Sequence, residues 1–206
     1  MWKLSLVFTV TIALTLGHVR IRSPPNRSSL WRDPAFQQYN PPANYDDDGL
    51  YCGRVHQWPV DNRCGVCGDP VTDPVPRPNE NGGTFGRGII AGRYAPGEII
   101  PLSVEFTISH IGFFEVQVCD QLPETDSCFR KLKFGDGSER YTLTPPERPI
   151  WINTTVVLPL DIKCQQCTLR LHYRAGNNWG DCGDGTEGMG CGLQETFRSC
   201  VDISVL

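Results

Sequence analysis

Between residues 100 and 110 apolar and polar side chains alternate: Leu102, Val104, Phe106 and Ile108 fall on one face, Ser103, Glu105 and Thr107 on the other. A period of two marks a strand buried on one side. His110 ends the apolar row. Residues 114–118 alternate the same way after a break at Ile111-Gly112, and this predicts a hairpin. Further strands are predicted over 141–143, 151–160, 168–173 and 197–205. In the last of these, Phe197, Val201, Ile203 and Val205 line one side, and Arg198, Cys200 and Asp202 the other. Short strands between turn-rich loops, with little helical period, predict an all-β fold: an immunoglobulin-like or fibronectin III-like antiparallel β-sandwich.

Two stretches depart from that pattern. Residues 1–17 carry one early cation, Lys3, then an apolar run to Leu16, with small residues Thr15 and Gly17 where a signal peptidase reads. The run is short for a membrane span, so 1–17 is expected to be a removed secretory signal and 18–206 a single domain. The remaining 189 of 206 residues are enough to bury a substantial core. Residues 30–81 form the second departure, rich in Pro, Gly, Asn and Asp, with Trp31, Phe36, Tyr39, Tyr45, Tyr51 and Trp58 among them. One short helix is predicted near 29–36. An irregular insertion of this length is expected only where it is functional and stapled, and Cys52, Cys64 and Cys67 supply staples.

The cysteines settle the compartment. All ten lie beyond residue 17, and an even count behind a signal peptide predicts five disulfides in a secreted, extracellular protein with long stapled loops. Cys64/Cys67 and Cys164/Cys167 have a spacing that would suggest zinc in a cytosolic chain, whereas secretion favours disulfides. Short-loop closure points to Cys119 with Cys128 and Cys182 with Cys191. Losing Lys3 takes the formal charge from −4 to −5. No basic field is left for nucleic acid and no second apolar run for a membrane, and a monomer is expected. Asn26-Arg27-Ser28 and Asn153-Thr154-Thr155 are possible N-glycan acceptors, with Asn153 the better placed.

Four histidines follow the signal: His18, His56, His110 and His172. His56, in the loop between Cys52 and Cys64, and His172, which points away from Leu171 and Tyr173, are read as surface or loop residues. His18 is different. Cleavage before it would leave a free α-amine, whose pKa of about 8 allows a metal to displace its proton at neutral pH. That amine and the ring nitrogen close a chelate, a second imidazole completes a T of three nitrogens, and such a set favours copper. His110, at a strand end, is the available second imidazole.

Five ordered segments then carry a resemblance. They are His18-Val-Arg-Ile-Arg-Ser-Pro-Pro-Asn-Arg-Ser-Ser-Leu-Trp31, Asn62-Arg-Cys-Gly-Val-Cys-Gly-Asp69, Ser109-His110-Ile-Gly-Phe-Phe114, Gly176-Asn-Asn-Trp-Gly180 and Gly190-Cys-Gly-Leu-Gln-Glu-Thr-Phe-Arg-Ser-Cys200. Together they resemble a lytic polysaccharide monooxygenase of auxiliary activity family 15, the type found in insects and other invertebrates. The resemblance implies that His18, through amine and side chain, and His110 hold one copper ion per chain. It places Phe197 at the axial position, where family members often have Tyr; Phe cannot ligate, and the axial face would be more open, as in bacterial chitin-active relatives. It also implies a role for Glu195 near the metal. The implied activity is oxidative cleavage at C1 or C4 of crystalline polysaccharide, chitin or cellulose, using hydrogen peroxide or dioxygen and an external electron donor. A flat surface must then meet the substrate, and Tyr39 and Tyr45 of the insertion are candidate sugar contacts. Two rivals use some of the same residues: a non-catalytic chitin-binding or cuticle-associated module, and a hydrolytic glycosidase drawing on Glu105, Glu115 and Glu195.

Overall fold

The computed structural model describes residues 18–52, 64–146 and 148–206. The expected signal segment, His56 and Trp58 lie outside the described residues. The strands, in chain order, are β1 (His18–Ser23), β2 (Gly92–Tyr94), β3 (Ile99–Ile108), β4 (Gly112–Cys119), β5 (Arg130–Lys131) and β6 (Lys133–Phe134). They continue as β7 (Tyr141–Leu143), β8 (Ile150–Val157), β9 (Cys164–Arg174), β10 (Trp179–Asp181), β11 (Glu187–Met189) and β12 (Thr196–Val205). One sheet runs β1-β3-β8-β6, and the facing one β2-β12-β9-β4-β5, with β7 also on β4. β10 and β11 pair apart from both. The pairings are antiparallel apart from β12 with β2. This is the expected β-sandwich.

The alternating residues do what their period requires. Val19, Ile21, Leu102, Val104 and Phe106 of the first sheet meet Phe114, Val116, Leu171, Tyr173, Phe197 and Val201 of the second, all 2% exposed or less. Each such apolar side chain contributes roughly 1.5–3 kcal/mol when fully buried.

The predicted hairpin at Ile111-Gly112 is not formed. β3 and β4 belong to different sheets, and residues 109–111 cross between them. Alternation tells which face is covered, not which strand is the neighbour. Here Phe106 and Phe114 meet across the core, with ring centroids 5.8 Å apart. The crossing turns on two left-handed residues, Ile111 (φ 45°) and Gly112 (φ 83°). A Cβ on Gly112 would stand 2.2 Å from the carbonyl oxygen of Arg174, so glycine is required there.

His172 also corrects its sequence reading as a surface residue. It belongs to a polar ladder on the outer face of the second sheet, aligned with Glu115 of β4 and Arg198 of β12. The insertion covers that ladder: Arg170 donates to the Val66 carbonyl (3.2 Å) and Arg198 to the Gly65 carbonyl (3.3 Å). Arg198 Nε donates to His172 Nδ1 at 3.2 Å. Burial, with the charges of Arg198 and Arg170, pushes the His172 pKa down to about 3.

In the insertion, two 3-10 helices, Arg27–Arg32 and Pro34–Tyr39, stand where one short helix was predicted. Buried charge holds the insertion to the sandwich. Arg27, 2% exposed, makes a two-pronged pair with Asp202 (2.6 and 3.0 Å) and a bond to Glu124 (2.5 Å). Asp47, fully buried, accepts from Arg20, Arg32 and Ser29, and these bonds hold its carboxyl below the usual range against the cost of burial. The ten cysteines form five disulfides: Cys52–Cys64, Cys67–Cys200, Cys119–Cys128, Cys164–Cys167 and Cys182–Cys191. Both short-loop pairs were expected, and Cys67–Cys200 ties the insertion to β12. Cys67, Glu124 and Cys200 cluster closely enough to resemble a metal site, but the two sulfurs are bonded to each other.

Candidate metal centre

His110 sits on the crossover between the sheets, and its backbone is gripped from both sides. Its N–H donates to the Tyr173 hydroxyl (2.9 Å), that hydroxyl donates to the Ile111 carbonyl (2.8 Å), and the Gly176 N–H donates to the His110 carbonyl (2.9 Å). Tyr173 is fully buried on β9, edge-on to Phe106 at 5.0 Å and stacked on Phe197 at 5.5 Å. One side chain thus fills the core and satisfies the turn. His110 itself is 2% exposed.

His18 opens β1, paired with Ile108, so both histidines lie at the same end of the sandwich. The insertion is fastened beside it: the Val19 N–H donates to the Asp48 carbonyl, and Thr107 Oγ1 donates to Asp48 Oδ2, both at 2.8 Å. Tyr45, three residues earlier, is 82% exposed and rests on Trp31 at 5.0 Å. Tyr39 is exposed too, against Phe36 at 6.4 Å. The contacts of its helix run to Trp31 and, from the capping Asn40, to Arg87.

Phe197, opposite Tyr173 on β12, is fully buried. Tyr51 of the insertion bridges to it, with ring centroids 6.0 Å apart. It lies at the same sandwich end, covered by two tyrosines and offering no ligating atom. Glu195 does approach: its Oε2 is 3.5 Å from His110 Nδ1, and its carbonyl accepts from the Ala175 N–H at 2.9 Å.

Sequence reasoning missed three residues here. Tyr173 read as core, which it also is. Asn177 places its amide 2.8 Å from His110 Nδ1. Trp179, two residues on, is 64% exposed, with Nε1 donating to Glu187 at 3.2 Å. Both lie in the Gly176–Gly180 segment, whose two asparagines and tryptophan between glycines were a usable signal. The donors at this end are imidazole and backbone nitrogen, with Asn177 and Glu195 both addressing Nδ1 of His110. A nitrogen set of this kind fits copper rather than calcium or magnesium. The carboxylates a glycosidase would draw on are engaged on different sheets: Glu105 in the first sheet is bound by Arg20 at 2.8 Å, and Glu115 in the second by Lys131 (2.8 Å) and Arg140 (2.9 Å).

Comparison with known proteins points the same way. A family model described as lytic polysaccharide mono-oxygenase, cellulose-degrading, matches residues 18–203. A solved lytic polysaccharide monooxygenase of the AA15 type from Thermobia domestica, in the Cu(I) state, is 42% identical. It superposes with a TM-score of 0.84 over 91% of this chain and 98% of its own. A chitin binding domain from Burkholderia pseudomallei is 12% identical, with a TM-score of 0.48 over 93% of this chain and all of its own. No match was found among curated proteins.

Proposed function

The chain belongs to the lytic polysaccharide monooxygenases, copper-dependent enzymes that cleave polysaccharide oxidatively, and from that premise we propose that it is secreted, cut before His18, and active on crystalline chitin ahead of cellulose. The observation that carries the site is that His18 pairs directly with Ile108, two residues from His110. Cleavage after Gly17 turns the His18 backbone nitrogen from an amide into an amine. His18, through that amine and its ring, and His110 would then hold one copper ion.

Copper, when bound, supplies the electron exchange with an external donor and with hydrogen peroxide or dioxygen that oxidises C1 or C4 beside a glycosidic bond. The protein's part is rigidity and access. Tyr173 and Gly176 fix the His110 backbone, while Asn177 and Glu195 fix its ring. Phe197, packed between Tyr51 and Tyr173, would offer the copper no ligating atom and so leave that side of it without a protein ligand. Tyr45 of the insertion and Trp179 at the start of β10 are exposed aromatics that would serve as sugar contacts, and Tyr39 extends the same insertion. The preference for chitin rests on Phe197 and the family resemblance.

N-terminal sequencing of the secreted protein, followed by copper titration, tests the site. The expected result is a chain starting at His18 whose copper binding collapses in His110→Ala. A different mature terminus, or unchanged affinity in that variant, overturns it. Incubation with chitin or cellulose plus ascorbate, read by mass spectrometry, tests the substrate: oxidised products from cellulose alone refute the chitin preference. Tight binding to chitin without products from either polymer supports the non-catalytic binding module instead.

A further inference from the structure

We propose that the outer face of the first sheet is the seat of an N-linked glycan on Asn153, whose first sugars lie in a trough across the strands beside Trp151. The proposal rests on the secretion reading above and is independent of the metal. Ile152 and Val156 of β8 are buried in the core, as are Leu102 and Val104 of β3. Trp151, Asn153 and Thr155 therefore face outward, beside Pro101, Ser103 and Glu105 of the neighbouring strand.

The register sorts these residues into rows running across the sheet. Asn153 pairs with Ser103, and Ser103 with Ser23 at the end of β1. Trp151 pairs with Glu105 on one side of that row, and Thr155 with Pro101 on the other. Short side chains thus form the middle row between bulkier neighbours. The result is a depression of about 420 Å³, lined by Asn153 itself together with Ser23, Pro101, Ser103 and Thr155.

The Trp151 side suits a sugar ring. Trp151 is 56% exposed, and the Arg22 guanidinium carbon lies 5.8 Å from its ring centroid. Arg22 Nε is in turn 3.8 Å from Glu105 Oε2, to which Arg20 Nε donates at 2.8 Å, so the carboxylate of that row is neutralised. A pyranose offers an indole a flat face of C–H groups and offers serines a rim of hydroxyls. Residues two apart on one face of a strand stand about 7 Å from each other, so a sugar on the Asn153 amide reaches the indole. From β8 to β1 is two strand spacings, about 10 Å, a distance that the two N-acetylglucosamines of a glycan core span.

Asn153-Thr154-Thr155 supplies the attachment signal. Transfer forms a bond from Asn153 Nδ2 to C1 of a lipid-pyrophosphate-linked oligosaccharide, breaks the bond from C1 to the pyrophosphate oxygen, and releases the lipid pyrophosphate and the amide proton. Asn153 is exposed, so the folded chain keeps room for the product. Its partner Ser103 and the His18 partner Ile108 are five residues apart on β3, about 17 Å, and the glycan leaves the histidine end open.

The test compares one sequence with and without the sugar. Wild type and Trp151→Ala are each secreted from insect cells and, separately, exported to a bacterial periplasm that attaches no such glycan. Peptide mapping of the insect-cell wild type should find Asn153 occupied, and nuclear Overhauser contacts should join its first N-acetylglucosamine to the Trp151 indole. Thermal unfolding should place glycosylated wild type about 2–4 °C above its bare counterpart, and glycosylated Trp151→Ala within about 1 °C of its own. A secreted chain with bare Asn153 overturns the proposal, as does an equal thermal gain in both sequences. Absence of the indole contact in wild type overturns it even if Trp151→Ala fails to fold. A chain kept in the cytosol with its first 17 residues uncut refutes the secretion reading and the glycan with it, whereas bare Asn153 on a secreted chain refutes the glycan alone.

Discussion

The covered histidine of the outer ladder makes the fold acid-sensitive in a defined window. His172 has a folded pKa of about 3, against 6.5 for an unperturbed histidine. Its folded value is depressed, so the unfolded chain binds the extra proton first, and stability is complete above the unfolded pKa and lost as pH falls below it. One pH unit inside the window is worth about 1.4 kcal/mol, so lowering pH from 8 to 5 should remove about 2 kcal/mol. The buried carboxylates Asp47 and Glu115, whose pKa values are lowered, contribute stability that is lost as pH falls through their own folded values, below ordinary carboxylate values of 3.8 and 4.5. The interval from 6.5 to 5 lies inside the His172 window, and comparison with a non-titrating variant subtracts what other groups, including Asp69 with its raised pKa, contribute there. The control is His172→Gln, whose amide oxygen can still accept from Arg198 Nε and which does not titrate. Urea unfolding at pH 8 and pH 5, with disulfides intact, gives the two free energies. Wild type should lose about 2 kcal/mol more than the glutamine variant between those pH values. Parallel losses in the two proteins would refute the claim that His172 is held neutral.

Three further outcomes follow from the geometry. Tyr173→Phe keeps the aromatic packing but leaves the buried His110 N–H and Ile111 carbonyl without that hydroxyl, and should cost about 1–3 kcal/mol in thermal or urea unfolding; an unchanged midpoint would show that the hydroxyl does not hold the crossover. In protein secreted from eukaryotic cells, peptide mapping should find glycan on Asn153, which is exposed on β8, and none on Asn26, which is fully buried with Ser28 Oγ 3.2 Å from its side-chain oxygen; a glycan on Asn26 in folded protein contradicts that burial. Trp179→Ala should weaken chitin binding several-fold in pull-down isotherms while leaving copper affinity unchanged, and equal binding would remove Trp179 from the substrate face.

What the sequence made legible divides along physical lines. The inward faces were readable because burial imposes period two whatever the partner, and Phe197, Val201, Ile203 and Val205 all lie in the core as their spacing required. Partners were not readable. The same alternation in β3 and β4 fits a hairpin or a crossover, and the choice was made by the left-handed pair Ile111-Gly112 together with a long-range contact to Arg174. Outward-facing polar residues of β9 and β12 looked solvated because the loop that covers them comes from more than a hundred residues earlier in the chain. The histidines could be singled out from the cleavage site and the end of an apolar row. Of their supports Glu195 was named from the resemblance, while Tyr173 satisfies a core pattern and Asn177 a turn pattern, and neither pattern reveals a hydrogen bond to His110.

The crossover explains why the two histidines meet at an end of the sandwich and not on its face. Had β3 and β4 formed a hairpin, His110 would sit beside a two-residue turn at Ile111-Gly112, at the end of one sheet and away from the passage over the core. Passing between sheets instead places the turn over the core, where Tyr173 reaches it from β9 and Gly176 from the loop that follows. The same passage leaves Ile108, the last residue of β3, beside His18, so the pairing of β1 with β3, with a register shift between His18 and Val19, sets the position of His18 relative to the crossover. A one-residue slip of β1 would send the His18 side chain to the opposite face and separate it from His110. That register is fixed by Val19 and Ile21 in the core and by the Asp48 bond to Val19. Stability of the first strand and geometry of the metal centre are therefore one requirement, and a substitution that loosens Ile21 should weaken copper binding although it lies three residues from the nearest ligand.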